Sequence, residues 1–283
     1  MKIIDGKKIS EIVLEEVKKD VDEIKQKGIT PTLAIILVGE DPASKIYVNN
    51  KSNACKKVGI SCKEYFLDSN TSEKKIVNLI QKLNGDEGIH GILLQSPVPK
   101  HINIENLFEI INPDKDVDGF NPINYGKLLI GRENLTSCTS LGIIRLLEEE
   151  KIKIKGKHIV IIGRSNIVSK PLSLSLLNKD ATITICHSKT INLKQHTKTA
   201  DILISAVGKP LFVTNDMVKD NAVVIDVGIN RLNGIICGDV DFENVKDKCS
   251  YITKVPGGVG PMTVAYLLKN VVKAVKNQKN ISL

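Results

Sequence analysis

The sequence predicts an α/β protein with two α/β domains that flank a cleft. Its 283 residues exceed the size that one hydrophobic core usually serves, so two domains are expected. Short apolar runs alternate with helical patterns along the chain, which is typical of strand–helix–strand units. Most of the apolar runs are continuous, as in parallel strands that are covered by helices on both faces.

The first half contains two apolar runs set between helical patterns. Branched residues from Ile9 to Ile24 recur at helical spacing, and Gly28 marks where that helix ends. Pro97 and Pro99 close the second apolar run. These elements belong to a predicted first domain at residues 1–139. In chain order they are a helix over 9–24, a strand over 33–38, a helical pattern over 76–83 and a strand over 91–95.

The second half repeats this scheme more regularly. Four β-branched runs begin roughly twenty residues apart, as successive βα units do. They predict a Rossmann-like parallel-sheet domain at residues 140–260. A further helix, within residues 261–283, is expected to return to the first domain. The four runs lie at 159–162, 181–186, 202–207 and 223–227, and helical patterns over 141–150 and 264–275 flank them.

Composition and charge restrict the classes of function. The net charge is +8, but the lysines are scattered along helical faces, and aromatic residues make up only 4% with no tryptophan. A surface that stacks nucleic-acid bases is hard to build from so few rings, so we expect no nucleic-acid partner. No apolar run approaches the length of a membrane span, and we expect no membrane partner. The six cysteines include no C-x-x-C pair and predict free thiols in the cytoplasm.

A segment rich in glycine and proline connects two parts of the second half. Three glycines and two prolines fall between Lys254 and Thr263, which predicts a loop whose backbone approaches something closely. An amphipathic helix follows, so the loop ends where free N–H groups attract polar or anionic ligands. A tight turn without a ligand is the alternative.

The first strand of the second domain ends in a candidate phosphate-binding turn. Residues 159–162 are followed by Gly163 and a helical entry, which is the position of a Rossmann phosphate turn without its G-x-G-x-x-G. Gly163 is the only glycine of this turn that would let the backbone come close to a phosphate. Ser165 and Asn166 could cap the helix or donate to phosphate.

The residues after the second strand of this domain predict which cofactor binds. An NAD site has a carboxylate there to hold the ribose 2′-hydroxyl. This chain has His187, Ser188 and Lys189 instead, and Arg164 at the first turn. A cationic corner rich in hydroxyls suits a 2′-phosphate and predicts NADP. A surface ion pair is the alternative for Arg164.

The first domain carries a candidate for proton transfer. Tyr47 and Lys51 are four residues apart and share one face if their segment is helical. A lysine beside an aromatic ring, partly shielded from water, can serve in proton transfer. Gln95 ends a strand where ligands of parallel sheets gather. Asp116 and Asp118 form a carboxylate-rich turn, and either of them could be a cap or Asx-turn residue instead.

Seven segments in one order match a single family. The chain resembles the bifunctional 5,10-methylene-tetrahydrofolate dehydrogenase / 5,10-methenyl-tetrahydrofolate cyclohydrolase family. The resemblance implies NADP-dependent oxidation of the methylene derivative, then hydrolysis to 10-formyl-tetrahydrofolate, within one-carbon metabolism and purine biosynthesis. It also implies tetrahydrofolate one-carbon derivatives as partners and a homodimer. The matching segments are 38–48, 91–95 with 97–103, 115–120, 163–168, 186–190, 222–230 and 256–263.

The resemblance also implies roles for individual residues. Lys51 would shuttle protons in hydrolysis, Tyr47 would pack on the folate ring, and Gln95 would hydrogen-bond Lys51. Asp118 would hold the amino-pyrimidine edge of the pterin, where a carboxylate suits paired N–H donors. No metal is implied. The expected folate contacts also include Leu94, Ser96, Pro256, Gly257, Gly258, Val259, Gly260, Pro261, Met262 and Thr263, and the expected NADP contacts are Gly163, Arg164, Ser165, Ser188 and Ile229.

Three positions depart from the family pattern. Ser96 stands where an apolar residue is common, which would make the pocket of Lys51 wetter. Ser140 and Lys254 each replace a usual proline. Cys138 is interpreted as a packed thiol and not as a nucleophile. A dehydrogenase of the shikimate type would explain the second half, but not Tyr47 and Gln95 together.

Overall fold

The protein is described from a computed structural model, which covers residues 1–281. The chain divides into two compact units. The large-sheet unit joins Met1–Glu11 to Thr139–Thr263, and the small-sheet unit joins Ile12–Cys138 to the chain from Val264 onward. Each unit contains a parallel sheet, which confirms the predicted α/β class with a Rossmann-like second sheet.

The strands and helices follow one another in chain order. The strands are β1 (Lys2–Ile4), β2 (Thr32–Val38), β3 (Ser61–Leu67), β4 (Gly91–Leu94), β5 (His158–Ile162), β6 (Thr182–Cys186), β7 (Ile202–Ser205), β8 (Ala222–Asp226), β9 (Asn230–Leu232), β10 (Ile235–Cys237) and β11 (Cys249–Thr253). The α-helices are α1 (Gly6–Gln26), α2 (Pro42–Val58), α3 (Glu73–Gly85), α4 (Ile104–Ile110), α5 (Pro122–Leu129), α6 (Cys138–Glu149), α7 (Ser169–Leu177), α8 (Leu193–Thr197), α9 (Phe242–Val245) and α10 (Val259–Lys279). Short 3-10 turns lie at Asn215–Met217 and Lys246–Lys248.

The small-sheet unit has a three-stranded parallel sheet in the order β3-β2-β4. All seven residues of β2 are buried, as its unbroken apolar run predicts. Edge strand β3 was missed in the sequence because its residues, SCKEYFL, are half-buried or exposed and carry no continuous apolar run. Residues 264–281 belong to this unit, where the Asn270 side chain donates to the carbonyls of Val117 and Thr136 at 2.8 and 2.9 Å.

The large-sheet unit has a six-stranded sheet in the order β1-β11-β8-β7-β5-β6, and all its strand pairs are parallel. The outermost strand, β1, pairs with β11, so residues 1–11 belong to this unit. That placement corrects the predicted start of the first domain at residue 1. A three-residue edge strand with two exposed positions carries no periodic signal, so the sequence did not predict β1.

The helix after the glycine-rich segment begins earlier than predicted. α10 starts at Val259, so the loop is confined to residues 254–258 and the rest of the predicted loop is the first helical turn. Pro261 is compatible with this position because the first-turn N–H groups of a helix have no intrahelical acceptor.

Candidate active site and nucleotide-binding cavity

Helix α2 places Tyr47 and Lys51 on one face, one turn apart. The Asp41 carboxylate caps the helix by accepting from the amide and the hydroxyl of Ser44, each at 2.8 Å. These bonds lower the pKa of Asp41. Pro42 occupies the first turn, where its fixed φ favours a helix start. Tyr47 is 43% exposed and Lys51 is half-buried, so both side chains are accessible to a ligand.

Gln95 fixes the position of the Lys51 amine. The Lys51 Nζ donates to Gln95 Oε1 at 2.8 Å. The Gln95 side chain is buried, and its Nε2 donates to the carbonyl of Ser96 at 2.7 Å. The backbone N–H of Gln95 donates to the carbonyl of Ile36 at 2.9 Å, so strand β2 anchors the backbone of Gln95. Gln95 therefore presents its oxygen, and not its nitrogen, to the lysine.

The two neighbouring aspartates have different roles. Asp116 is buried and accepts from the amides of Gly119 and Asn121 and from the side chain of Asn124, at 3.1, 2.8 and 2.9 Å. Asp116 is therefore the Asx-turn residue, which was one of the alternatives that the sequence left open. Asp118 is half-buried and, within residues 1–281, its carboxylate accepts no hydrogen bond. Burial raises its pKa to about 6, against the opposing charge of Lys51.

Cys138 is buried close to Lys51, Asp116 and Asp118. Its thiol donates to the carbonyl of Val117 at 3.2 Å, and Asn270 donates to its sulfur at 3.5 Å. Burial raises the pKa of Cys138 well above its usual range, and the Asp118 charge adds to that rise. A neutral, packed thiol is a poor nucleophile, as the sequence interpretation expected.

A cavity of about 500 Å³ opens at the carboxyl edge of the large sheet. Four of the five predicted NADP contacts line it, whereas Ile229 is absent from its lining. Another cavity of about 400 Å³, beside Asp201 and Asn221, is lined by none of the predicted site residues. The lining of the first cavity is Ile162, Gly163, Arg164, Ser165, His187, Ser188, Thr190, Leu193, Ala206, Val207, Lys209 and Phe212.

The turn after β5 needs glycine for two reasons. Gly163 has φ +130°, which L side chains rarely adopt, and a Cβ there would lie 2.5 Å from the carbonyl oxygen of Ala206. The Ser165 hydroxyl accepts from the amides of Val168 and Ser169 at 3.2 and 3.3 Å, so Ser165 caps the start of α7. Its own O–H remains available as a donor toward the cavity.

Lys209 and Phe212 are cavity residues that the sequence did not assign. His187, which belongs to the cationic corner predicted after the second strand, also lines the cavity, and its amide donates to Thr190 Oγ1 at 2.8 Å. Lys209 brings a second cation into the lining, 5.7 Å from the centre of the Phe212 ring. The signal for Lys209 was its position shortly after the end of β7, because ligands collect at the carboxyl ends of parallel strands. With Arg164, Lys209 makes the cavity suitable for an anionic ligand.

The glycine-rich segment makes its close backbone approach within its own unit. The Lys7 amide donates to the carbonyl of Gly257 at 3.0 Å, and a Cβ on Gly6 would lie 1.8 Å from the carbonyl oxygen of Gly258. Gly257 has φ +106°, and a Cβ on Gly258 would lie 2.8 Å from the carbonyl oxygen of Lys254. The backbone conformation accounts for Gly257, and the contact with Lys254 accounts for Gly258.

Some predicted folate contacts have buried side chains. Leu94 and Met262 are 2% and 0% exposed, so their side chains pack in the core. Only their backbone atoms are left to make the predicted folate contacts. Thr263 Oγ1 lies 3.1 Å from Thr139 Oγ1. Ser96 is exposed. Ile229 lies beside Gly260, with its Cδ1 3.7 Å from the site of a Cβ there.

The part of the chain that the structure describes contains neither a cluster of metal ligands nor a membrane-spanning helix. Among residues 1–281, no three His, Cys, Asp or Glu side chains are grouped as metal ligands. Over the same range, every helix is too short or too polar to cross a membrane.

Comparisons with known proteins cover nearly the whole chain. The catalytic-domain model of the tetrahydrofolate dehydrogenase/cyclohydrolase family matches residues 4–118, and the NAD(P)-binding-domain model of that family matches residues 137–279. The bifunctional protein FolD of Campylobacter hominis is 55% identical over 279 residues, which is 98% of each chain.

Solved structures agree with the sequence comparison. The crystal structure of the bifunctional enzyme FolD from Campylobacter jejuni has a TM-score of 0.97 at 49% identity, covering 98% of this chain and 99% of that one. The FolD structure from Trypanosoma brucei, in complex with NADP cofactor and inhibitor, has a TM-score of 0.93 at 33% identity, covering 99% and 98%.

Proposed function

This chain belongs to the tetrahydrofolate dehydrogenase/cyclohydrolase family, and we propose how its residues perform the two reactions of that family. The enzyme oxidises 5,10-methylene-tetrahydrofolate to the 5,10-methenyl cation with NADP. It then hydrolyses the cation to 10-formyl-tetrahydrofolate. The hydrogen bond between Lys51 and Gln95 is the observation that carries the assignment of roles.

Hydrolysis requires a proton carrier beside the one-carbon unit. Water adds to the methenyl carbon, forming a C–O bond, and one C–N bond breaks as the leaving nitrogen recovers its electron pair. Lys51 takes a proton from the attacking water and returns it to the leaving nitrogen, and the second water proton is released to solvent as the formyl C=O bond forms. The Gln95 oxygen, 2.8 Å from Nζ, holds the amine in the required direction.

Asp118 and Tyr47 bind the folate in this proposal. The Asp118 carboxylate, which accepts no hydrogen bond from residues 1–281, accepts from the amino-pyrimidine N–H donors of the pterin. The ring of Tyr47, exposed one turn before Lys51, packs on the folate. Leu94, Ser96 and residues 256–263 contribute the remaining folate contacts.

The oxidation uses the cavity at the carboxyl edge of the large sheet. NADP supplies the acceptor for the hydride that leaves the methylene carbon. Arg164 and Ser188 hold its 2′-phosphate, since a guanidinium and a hydroxyl favour a phosphate over a bare ribose hydroxyl. Gly163 allows the backbone to come close, Ser165 donates to a phosphate, and Ile229 contacts the cofactor.

The assembly and location of the enzyme follow the same proposal. The small-sheet unit is the folate domain, and the large-sheet unit is the NADP domain. The active form is a homodimer in the cytoplasm. All six cysteines are free thiols, which is consistent with a reducing compartment. Light scattering on the purified protein would test the dimer.

Assays on the purified chain test the proposed function. We expect NADPH to form from 5,10-methylene-tetrahydrofolate and NADP, and 5,10-methenyl-tetrahydrofolate to be consumed without added NADP. A 2-hydroxy or shikimate-type acid should give no NADPH. Reduction of NADP by such an acid, with no turnover of either folate, would refute the proposal.

A further inference from the structure

Asp239 is a fully buried carboxylate beside the nucleotide cavity, and it does not line that cavity itself. It follows Gly238 in the segment after β10, and its side chain is 0% exposed. It receives five hydrogen bonds from two neighbouring segments of the large-sheet unit. An uncompensated buried carboxylate is costly, so such a complete set of donors points to a specific use.

Three of these bonds come from the backbone that follows β7. The amides of Val207, Gly208 and Lys209 donate to the carboxylate at 2.7, 3.3 and 2.9 Å. Val207 and Lys209 both line the cavity. The carboxylate therefore determines the path of a segment whose side chains face the proposed cofactor.

The other two bonds connect the same carboxylate to the last residue of β7 and the first residue of β9. The Ser205 hydroxyl donates to Oδ2 at 3.2 Å, and the Asn230 side chain donates to Oδ1 at 2.9 Å. Asn230 is next to Ile229, a proposed NADP contact. A single side chain thus connects the two segments at the edge where the cofactor is expected.

A second buried carboxylate fixes Asp239 in place. Asp226 accepts from the amides of Asp239 and Val240 at 3.0 and 2.8 Å, and from the amide of Gly228 at 3.0 Å. A Cβ on Gly228 would lie 2.1 Å from Asp239 Oδ1, and one on Gly238 would lie 1.9 Å from Asp226 Oδ2. The packing leaves Asp239 no alternative position.

We propose that Asp239 is a positioning residue for NADP, holding the 207–209 segment and the Ile229–Asn230 segment in the arrangement that accepts the cofactor. The inference rests on the proposed NADP site. Asp239 itself is fully buried and acts only through the segments that it holds.

The test is Asp239→Asn, which keeps the size of the side chain but turns an N–H₂ group toward N–H donors. We expect the Kd for NADP, measured by calorimetry, to rise at least about tenfold, because buried charge-assisted bonds to the lining segment are lost. The KM for NADP should rise with it. Hydrolysis of supplied methenyl-tetrahydrofolate needs no NADP and should change far less.

Two further variants make the result decisive. Ser205→Ala removes one donor to Asp239 from a side chain that is fully buried and does not line the cavity, and it should weaken NADP binding in the same direction by a smaller factor. It decides the question if Asp239→Asn does not fold. Asp220→Asn, at an exposed aspartate of the same unit, is the matched control and should bind NADP like the wild type.

The outcomes separate this inference from the proposed function. Wild-type protein that fails to bind NADP contradicts the proposed function itself. Wild-type protein that binds NADP, with Asp239→Asn or the substitute Ser205→Ala binding equally well, overturns the positioning role. An equal loss of both activities, with the NADP affinity unchanged, overturns it too.

Discussion

Replacing Asp118 by asparagine should make the protein more stable and should weaken its binding of folate. The folded protein holds this carboxyl with a pKa of about 6, against an ordinary value of 3.8. Burial disfavours its ionised form, and the nearby Lys51 charge recovers only part of that cost. An amide of the same shape carries no charge to desolvate.

The size of the gain follows from proton linkage. A shift from 3.8 to about 6, at 1.36 kcal/mol for each pH unit, corresponds to about 3 kcal/mol. Because the folded pKa is the higher one, the penalty is fully present above pH 6, declines as the pH falls, and is absent below about 3.8. Asp118→Asn should therefore gain about 3 kcal/mol at pH 7.5 but only about 1 kcal/mol at pH 4.5.

Urea denaturation of both proteins at these two pH values measures the gain. Asp226, whose pKa is also about 6 because of burial, titrates in both proteins and cancels in the difference. The control is Asp22→Asn, at an exposed position of the small-sheet unit, which should change little at either pH. The variant should also bind folate more weakly, since an amide offers N–H groups to N–H donors. A variant that is no more stable than the wild type at pH 7.5 would refute the reasoning.

Three more substitutions probe separate features of the large-sheet unit. Arg164→Ala should lower the ratio of NADP to NAD affinity about tenfold, as the loss of one charge-assisted bond to the 2′-phosphate implies, and titration calorimetry with both cofactors measures it. Gly163→Ala should cost about 2 kcal/mol in thermal or urea unfolding, because a Cβ would lie 2.5 Å from the Ala206 carbonyl at φ +130°. Ser140→Ala should stabilise by about 1 kcal/mol, since this buried hydroxyl has no hydrogen-bond partner within residues 1–281, and an unchanged denaturation midpoint would argue against that cost.

The fold was predictable wherever burial leaves a continuous apolar pattern. β2, β5 and β7 are buried over nearly all of their length, and each appears in the sequence as an apolar run. β1 and β3 lie at sheet edges with exposed residues, and their short or mixed sequences carry no periodic signal. Pairing between β1 and β11 is a contact between distant parts of the chain, which local patterns do not encode.

The candidate site was predictable in its residue types but not in its hydrogen bonds. The spacing of Tyr47 and Lys51 indicated a shared helical face, and the structure adds the bond to Gln95. The sequence left open which of Asp116 and Asp118 is the turn residue. The hydrogen-bond donors around Asp116 identify it as the turn residue and leave Asp118 as the accessible carboxylate. Asp239 has no local motif, because four of its five donors come from a segment about thirty residues earlier in the chain.

The most direct test of the account is the separation of the two activities by Lys51→Met. The central claim is that the Lys51 amine, held by Gln95, carries the protons of hydrolysis, while the cavity around Gly163 and Arg164 holds the cofactor. We predict that the variant loses hydrolysis of methenyl-tetrahydrofolate and keeps its affinity for NADP, with Lys57→Met on the exposed face of α2 fully active in both respects. A Lys51→Met enzyme that hydrolyses methenyl-tetrahydrofolate at the wild-type rate would contradict the claim.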